Sequence, residues 1–192
     1  MCSDGNIFQP PDLDSSCGKY FTFRDLIECG ETWHHHADGG RTISNLPLQL
    51  QTWDGLRLLA TKVLDPVVER FGPMCLTYGF ASSNLTRHIR RGIDVRRDQH
   101  AGSEINRVGN LVCSRLGQAA DFQLPNTSSV DVAIFVAEKL PFDRIYLYGP
   151  KRPLHVSVGP CPAQLIVELV ETGGHRHPKK TWKRGDFLSA FG

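Results

Sequence analysis

No stretch of this chain approaches the roughly 18 consecutive apolar residues that a membrane helix needs, so no membrane partner is expected. The opening MCSDGNIFQPPDLDSSCGKY lacks both a basic start and an apolar run; with no export signal read there, the expected location is the cytoplasm. CxxC pairs are missing as well. The six cysteines (Cys2, Cys17, Cys29, Cys75, Cys113, Cys161) are scattered, which excludes a zinc knuckle or a disulfide-dense module and favours reduced thiols. There is no P-loop, no GxGxxG, no recognisable nucleic-acid motif and no internal repeat.

What remains is globular in character. The 192 residues suffice for one domain with a real core, and 40% hydrophobic against 22% charged residues excludes a fully disordered chain. The net charge of +2 conceals an asymmetry: residues 1–70 carry 6 Lys+Arg against 10 Asp+Glu, and residues 71–192 carry 16 against 10. The excess gathers in Thr86–Arg97 and in His175–Arg184. Arg87, Arg90, Arg91, Arg96, Arg97 and the basic C-terminal tail are therefore the residues through which nucleic acid or another phosphate-bearing partner would be met. The bland alternative is a solvated surface, since aromatic residues do not interleave with the charges.

Three segments follow from composition: a polar N-terminal arm over 1–18, a folded domain over 19–172 and a basic tail over 173–192. Tyr20–Glu28 reads as a short helix entered at Thr22. The His34-His35-His36 run in its glycine-rich setting reads as a surface loop, because three adjacent imidazoles cannot converge on one metal from a regular element. Pro47–Phe71 repeats apolar residues at three and four, the pattern of an amphipathic helix, closed by Gly72-Pro73. Short strands are expected at Leu76–Phe80, Ala119–Leu124, Arg144–Tyr148 and Leu154–Val158. Helical segments are expected at Asn84–Ile89 and Val130–Leu140, and Leu165–Val170 fits a strand or a late helical turn. Helices first and then strands interrupted by one helix give an α+β domain with a small, mostly antiparallel sheet and flanking helices.

The run Asn45-Leu-Pro47, Val63–Pro66, Phe71-Gly-Pro, Thr77–Ser82, Gly117–Phe122, Pro141–Arg144 and His155-Val-Ser157 resembles, in order and spacing, the M15 zinc peptidases over about residues 20–160. That group contains the D-Ala-D-Ala carboxypeptidases and shares its fold with the hedgehog signalling domain. The resemblance implies a hedgehog/DD-peptidase-like fold and zinc as cofactor. Its zinc ligands are a His, an Asp after six intervening residues and a distal His; a Glu acts as general base and an Arg steadies the oxyanion. Asp121 stands at the Asp position and His155 at the distal His, so both are assigned to metal. Three protein ligands would leave zinc a position for water.

The chain departs from this pattern at three positions. The first zinc His falls on Ser114, the general base on Tyr148 and the oxyanion Arg on Ala81. A hydroxyl is a poor zinc ligand, and a phenol with an ordinary pKa of about 10 does not take protons at neutral pH. Ordinary metallopeptidase activity is not expected. One reading is a repurposed hydrolase for a small polar or phosphate-bearing substrate, perhaps attached to nucleic acid. In it His100 replaces the missing imidazole or serves as acid–base, Glu104 is the displaced carboxylate, and Arg115 or Arg152 supplies positive charge, with Tyr148 in the site. Against this, His100 and Glu104 also fit a helix N-terminus. A zinc hydrolase recruiting His100 or Cys113 as third ligand is a further alternative; Cys113 reads equally as a small buried thiol. Asp121 and His155 also suit a metal-free buried pair. The last alternative is a non-catalytic module binding an anionic ligand or nucleic acid in a pocket of Tyr78, Tyr146, Tyr148, Arg115, Arg152 and His155.

Overall fold

The fold is known from a computed structural model that describes residues 9–40, 43–90 and 93–192. Arg91, Cys2 and the first part of the expected N-terminal arm lie outside the described residues. The domain is α+β, with a six-stranded mixed sheet and flanking helices.

Helix α1 (Phe23–Ile27) starts where expected, because Thr22 and Asp25 form a reciprocal capping box that satisfies the first backbone N–H groups. The predicted long helix is built in three parts: α3 (Leu50–Leu59), a π-helical turn (Ala60–Leu64) and α4 (Asp65–Phe71). The widened turn ends just ahead of Pro66, whose ring would clash with a carbonyl one turn back in a regular helix. Gly72, at φ 91, closes α4. Trp53 and Phe23 meet edge to face at 5.1 Å inside the main core. The chain continues through β1 (Cys75–Tyr78), α5 (Ser83–Thr86), β2 (Gln118–Gln123), α6 (Ser129–Lys139), β3 (Arg144–Leu147), β4 (Leu154–Val158), β5 (Leu165–Thr172), β6 (His175–Lys183) and α7 (Arg184–Phe191).

The strands lie in the order β1-β2-β4-β3-β5-β6. The sheet expected to be mostly antiparallel is mixed, since β3 and β5 run parallel while the other neighbours run antiparallel. Side chains alternate between faces along each strand. Ala120, Phe122, Ile145, Leu147, Leu154 and Val156 enter the core shared with the helices. The alternate residues Asp121, His155 and Tyr146 therefore share the other face, and the register sets them side by side: Asp121 opposite His155, and His155 opposite Tyr146.

Two segments differ from expectation. The histidine run is not a loop but part of α2 (Glu31–Asp38), with Glu31 in its first turn, His35 and His36 in its last, and Gly39-Gly40 behind it. The anion at the N-terminal end and imidazoles at the C-terminal end suit the helix dipole. The segment 173–192, set apart by its charge as a tail, continues the sheet as β6 and ends in α7, whose Phe187 is buried in the core. Gly173 and Gly174, both at positive φ, form the two-residue hairpin turn. Pro178 is accommodated at a bulge in this edge strand. No helix among the described residues is long and apolar enough to cross a membrane.

Gly79 follows β1 at a close approach of two backbones: a Cβ there would sit 2.0 Å from the Leu26 carbonyl oxygen. Gly79→Ala must displace one of the two segments and is expected to cost about 2 kcal/mol or more. An unchanged denaturant midpoint would show that this contact yields without cost.

A buried histidine, aspartate, histidine group

Asp121 from β2 and His155 from β4 are direct cross-strand partners, and the buried Asp121 Oδ1 accepts a hydrogen bond from His155 Nδ1 at 2.7 Å. The third member is His100, carried by the segment that follows α5. Its Nδ1 donates to the Gly79 carbonyl at 2.6 Å, which leaves Nε2 facing Asp121 Oδ1 at 3.3 Å. A ring nitrogen anchored on a carbonyl is the usual way a metal-binding imidazole is oriented. Ligand atoms of the three residues all lie within 4.8 Å of one another, and among the described residues this is the group that can hold a metal ion.

The donor set fits a metal chemically. Nε2 of His155 is buried without a hydrogen-bond partner, and the buried Nε2 of His100 has only the Asp121 carboxylate beside it, at 3.3 Å. Buried polar atoms are otherwise nearly always paired. Two imidazoles and a carboxylate form a common three-ligand set for zinc.

Burial works against charge on His100, yet Asp98, Asp121 and the Gly79 carbonyl push its pKa up to about 9. Burial likewise disfavours the Asp121 carboxylate, but His100 and His155 hold its pKa well below the usual range. In the metal-free protein the carboxylate thus sits between two imidazoles with His100 protonated at neutral pH. A metal must displace that proton.

The support around His100 comes from several elements. The His100 carbonyl accepts from Ala81 N at 2.9 Å. Glu104, expected among the catalytic groups, instead caps α3: its Oε1 accepts from Leu48 N, Gln49 N and Thr52 Oγ1 at 3.0, 3.0 and 2.9 Å. A carboxylate at a helix N-terminus is favoured by the free N–H groups and the dipole. Leu85, Val95, Ala101 and Ala81 form a small second core beneath this segment, with Trp33 and Ile93 against it.

The other expected site residues are placed as follows. The Tyr146 ring stacks on His155 at 4.5 Å and 13°, and Arg115 Nη1 donates to the Tyr146 hydroxyl at 3.1 Å. Arg115 therefore reaches the group only through Tyr146. Tyr148 and Arg152 line a cavity of about 450 Å³ with Asp121, Tyr78 and Glu31. Burial, reinforced by the Asp121 charge, pushes the Tyr148 phenol far above its ordinary pKa. Ser114 is exposed, and neither it nor Cys113 belongs to the metal-competent group. Ala81 is buried and carries no charge to the site. Of the arginines expected to meet phosphate, Arg87 and Arg90 line a second cavity of about 740 Å³ with His35, His36 and His88, and Arg96 and Arg97 are exposed. The sequence reading missed Glu31, Lys151 and Arg176, which also line the Asp121 cavity. Arg176 became readable only through the Gly173-Gly174 hairpin signal.

His100 titrates higher folded than the ordinary value of about 6.5, so its contribution to stability is complete below pH 6.5 and is lost as pH rises through about 9. In chelator, the denaturation midpoint is expected to fall over that window for the native chain and to stay flat there for His100→Ala. Parallel curves for the two proteins would contradict the assignment. No family model, no curated protein and no solved structure matches the chain.

Proposed function

We propose that the chain is a zinc-dependent hydrolase on a divergent M15-type, hedgehog/DD-peptidase-like scaffold, with His100, Asp121 and His155 as the metal-holding residues. The observation that carries this reading is the meeting of two imidazoles on one buried carboxylate, with His155 Nε2 left without a hydrogen-bond partner and His100 Nε2 facing only that carboxylate. Zinc held there would supply Lewis acidity towards a hydrolytic water and the substrate. The chain's own residues orient the ligands: the Gly79 carbonyl fixes the His100 tautomer, and Tyr146 fixes the plane of the His155 ring.

The groups around the metal residues argue against ordinary peptidase chemistry. Tyr148 holds its proton too tightly to act as a base, and Ala81 offers no charge to an oxyanion. The carboxylate available at the same cavity is Glu31, the first residue of α2, which takes the part of proton acceptor. Cationic side chains on the cavity wall suit a polar or phosphate-bearing substrate. Arg87, Arg90, Arg96 and Arg97 leave room for one attached to nucleic acid, whose retention would then weaken with salt.

Chain purified without a tag is expected to carry about one zinc, lost in His155→Ala and in His100→Ala and kept in Cys113→Ala. Zinc retained by His100→Ala, or absent from the native chain, would reject the three-residue site. With bis(p-nitrophenyl) phosphate and p-nitrophenyl acetate as probes, Glu31→Gln is expected to lower hydrolysis by roughly 10²–10⁴-fold at unchanged zinc content. Unchanged turnover would remove Glu31 from the chemistry, and no zinc-dependent turnover of either probe would count against a hydrolase.

A further inference from the structure

Tyr148 stands one residue past the end of β3, where Leu147 before it is buried in the core and Tyr146 is stacked on His155. Alternation turns Tyr148 to the same face as Tyr146, and there it lines the cavity of about 450 Å³ that also contains Asp121 and Glu31. The ring is held from the β5–β6 hairpin. The guanidinium carbon of Arg176 lies 4.5 Å from the ring centre, and Glu171 is the direct cross-strand partner of Arg176. A guanidinium over an aromatic face is attracted by the ring and fixes its plane.

The Tyr148 hydroxyl differs from the other neutral donors of this cavity. Thr77 Oγ1 donates to the Asp121 carbonyl at 3.1 Å, the Tyr78 hydroxyl is bonded to Thr32 Oγ1 at 2.9 Å, and Gln123 Nε2 donates to the Lys151 carbonyl at 3.0 Å. Among the described residues the Tyr148 hydroxyl has no hydrogen-bond partner. A phenol keeps its proton at neutral pH at its ordinary pKa of about 10, and burial, reinforced by the Asp121 charge, pushes this one higher. Lys151 and Arg152 are exposed on the β3–β4 turn, where water screens them, whereas Tyr148 is half-buried. A donor withdrawn from water acts more strongly on a charge that develops beside it.

Ester hydrolysis builds such a charge on one oxygen. As water adds to the carbonyl or phosphoryl group, the electron pair of the double bond moves onto that oxygen, and the proton released by water passes to Glu31. The pair returns as the bond to the leaving oxygen breaks, and the leaving group takes up the proton. Position 81 carries no cation to meet the charged oxygen. We propose that the Tyr148 hydroxyl is the hydrogen-bond donor to the oxygen that gains charge when an ester is hydrolysed beside the His100–Asp121–His155 group. This rests on the reading of that group as the metal centre of a hydrolase and adds the residue that steadies its oxyanion. Tyr148 donates throughout and gives up no proton.

Tyr148→Phe removes the hydroxyl and keeps the ring under Arg176, and it leaves no protein group without its partner, so the denaturation midpoint is expected to stay put. Native chain and variant are compared on p-nitrophenyl acetate, phenyl acetate and bis(p-nitrophenyl) phosphate, with zinc content measured in each sample. Calorimetry adds the affinity for phenylphosphonate, a tetrahedral anion whose P–C bond resists hydrolysis. On the probes that native chain hydrolyses, kcat is expected to fall roughly 10²–10³-fold at unchanged zinc content, with KM moving less than about twofold. Phenylphosphonate affinity is expected to fall at least about tenfold. The loss is expected to be equal for the two acetates; a loss confined to phenyl acetate, which has the poorer leaving group, would make Tyr148 a proton donor to that group and overturns the proposal. A loss carried by KM or by missing zinc, or an unchanged phenylphosphonate affinity, overturns it as well. Native turnover matched by Tyr148→Phe rejects the donor alone, whereas zinc-loaded native chain that hydrolyses none of the probes rejects the hydrolase reading and the donor with it.

Discussion

The site depends on one buried carboxylate shared between two imidazoles. Taking the Asp121 charge out of water costs several kcal/mol unless it is paired and hydrogen-bonded, and His155 and His100 supply that compensation from different elements of the fold. His155 arrives by strand register, as the direct partner of Asp121 across β2 and β4. His100 arrives from an irregular segment and needs outside support: the Gly79 carbonyl, the Ala81 amide and the anchoring of Glu104 on α3. Two different kinds of constraint thus end on the same oxygen.

The capping carboxylate illustrates how the irregular segment is made rigid. Glu104 satisfies two backbone amides and a hydroxyl at the start of α3, so the helix end and the segment carrying His100 are fixed by the same bonds. Ser103 N adds a bond to Thr52 Oγ1 at 3.1 Å. Replacing such a group would leave several buried donors unpaired, an effect spread over α3 and the metal residues together. A residue of catalytic type can in this way hold backbone in place.

Much of the scaffold was legible because it follows local rules. The three-and-four spacing of apolar residues located the long helix, and Thr22 located the start of α1. Alternation in β2 and β4 put Asp121 and His155 on one face. His100 was a candidate to replace the missing imidazole from the sequence, but its place beside Asp121 could not be read from spacing. Counting back from Asp121 presumes a fixed spacing to the first histidine, but the chain makes an excursion between His100 and Asp121, with a bridge from Ile105 to Leu111 and a turn at Gly109. Long loops of this kind cost little because closure entropy grows slowly with length. The glycines on either side of the histidine run suit a loop as well as the helix α2 that forms there, and the charge of 173–192 suits a tail as well as a glycine-glycine hairpin.

The placement of positive charge completes the picture. At position 81 the backbone is committed, its amide bonded to the His100 carbonyl, and the residue is buried beside the second small core. An arginine there would have to bring its guanidinium past that packing into the site, at a heavy desolvation cost. The β3–β4 turn and the β5–β6 hairpin have no such conflict, since Arg152 and Arg176 extend from exposed backbone into the cavity edge. The cations therefore stand on the wall of the cavity, while position 81 beside the His100 carbonyl carries none. On the hydrolase reading proposed above, cations so placed would bind an anionic group remote from the reacting atom rather than stabilise charge at that atom, and remote binding energy of this sort can be used to orient the bond to be cleaved.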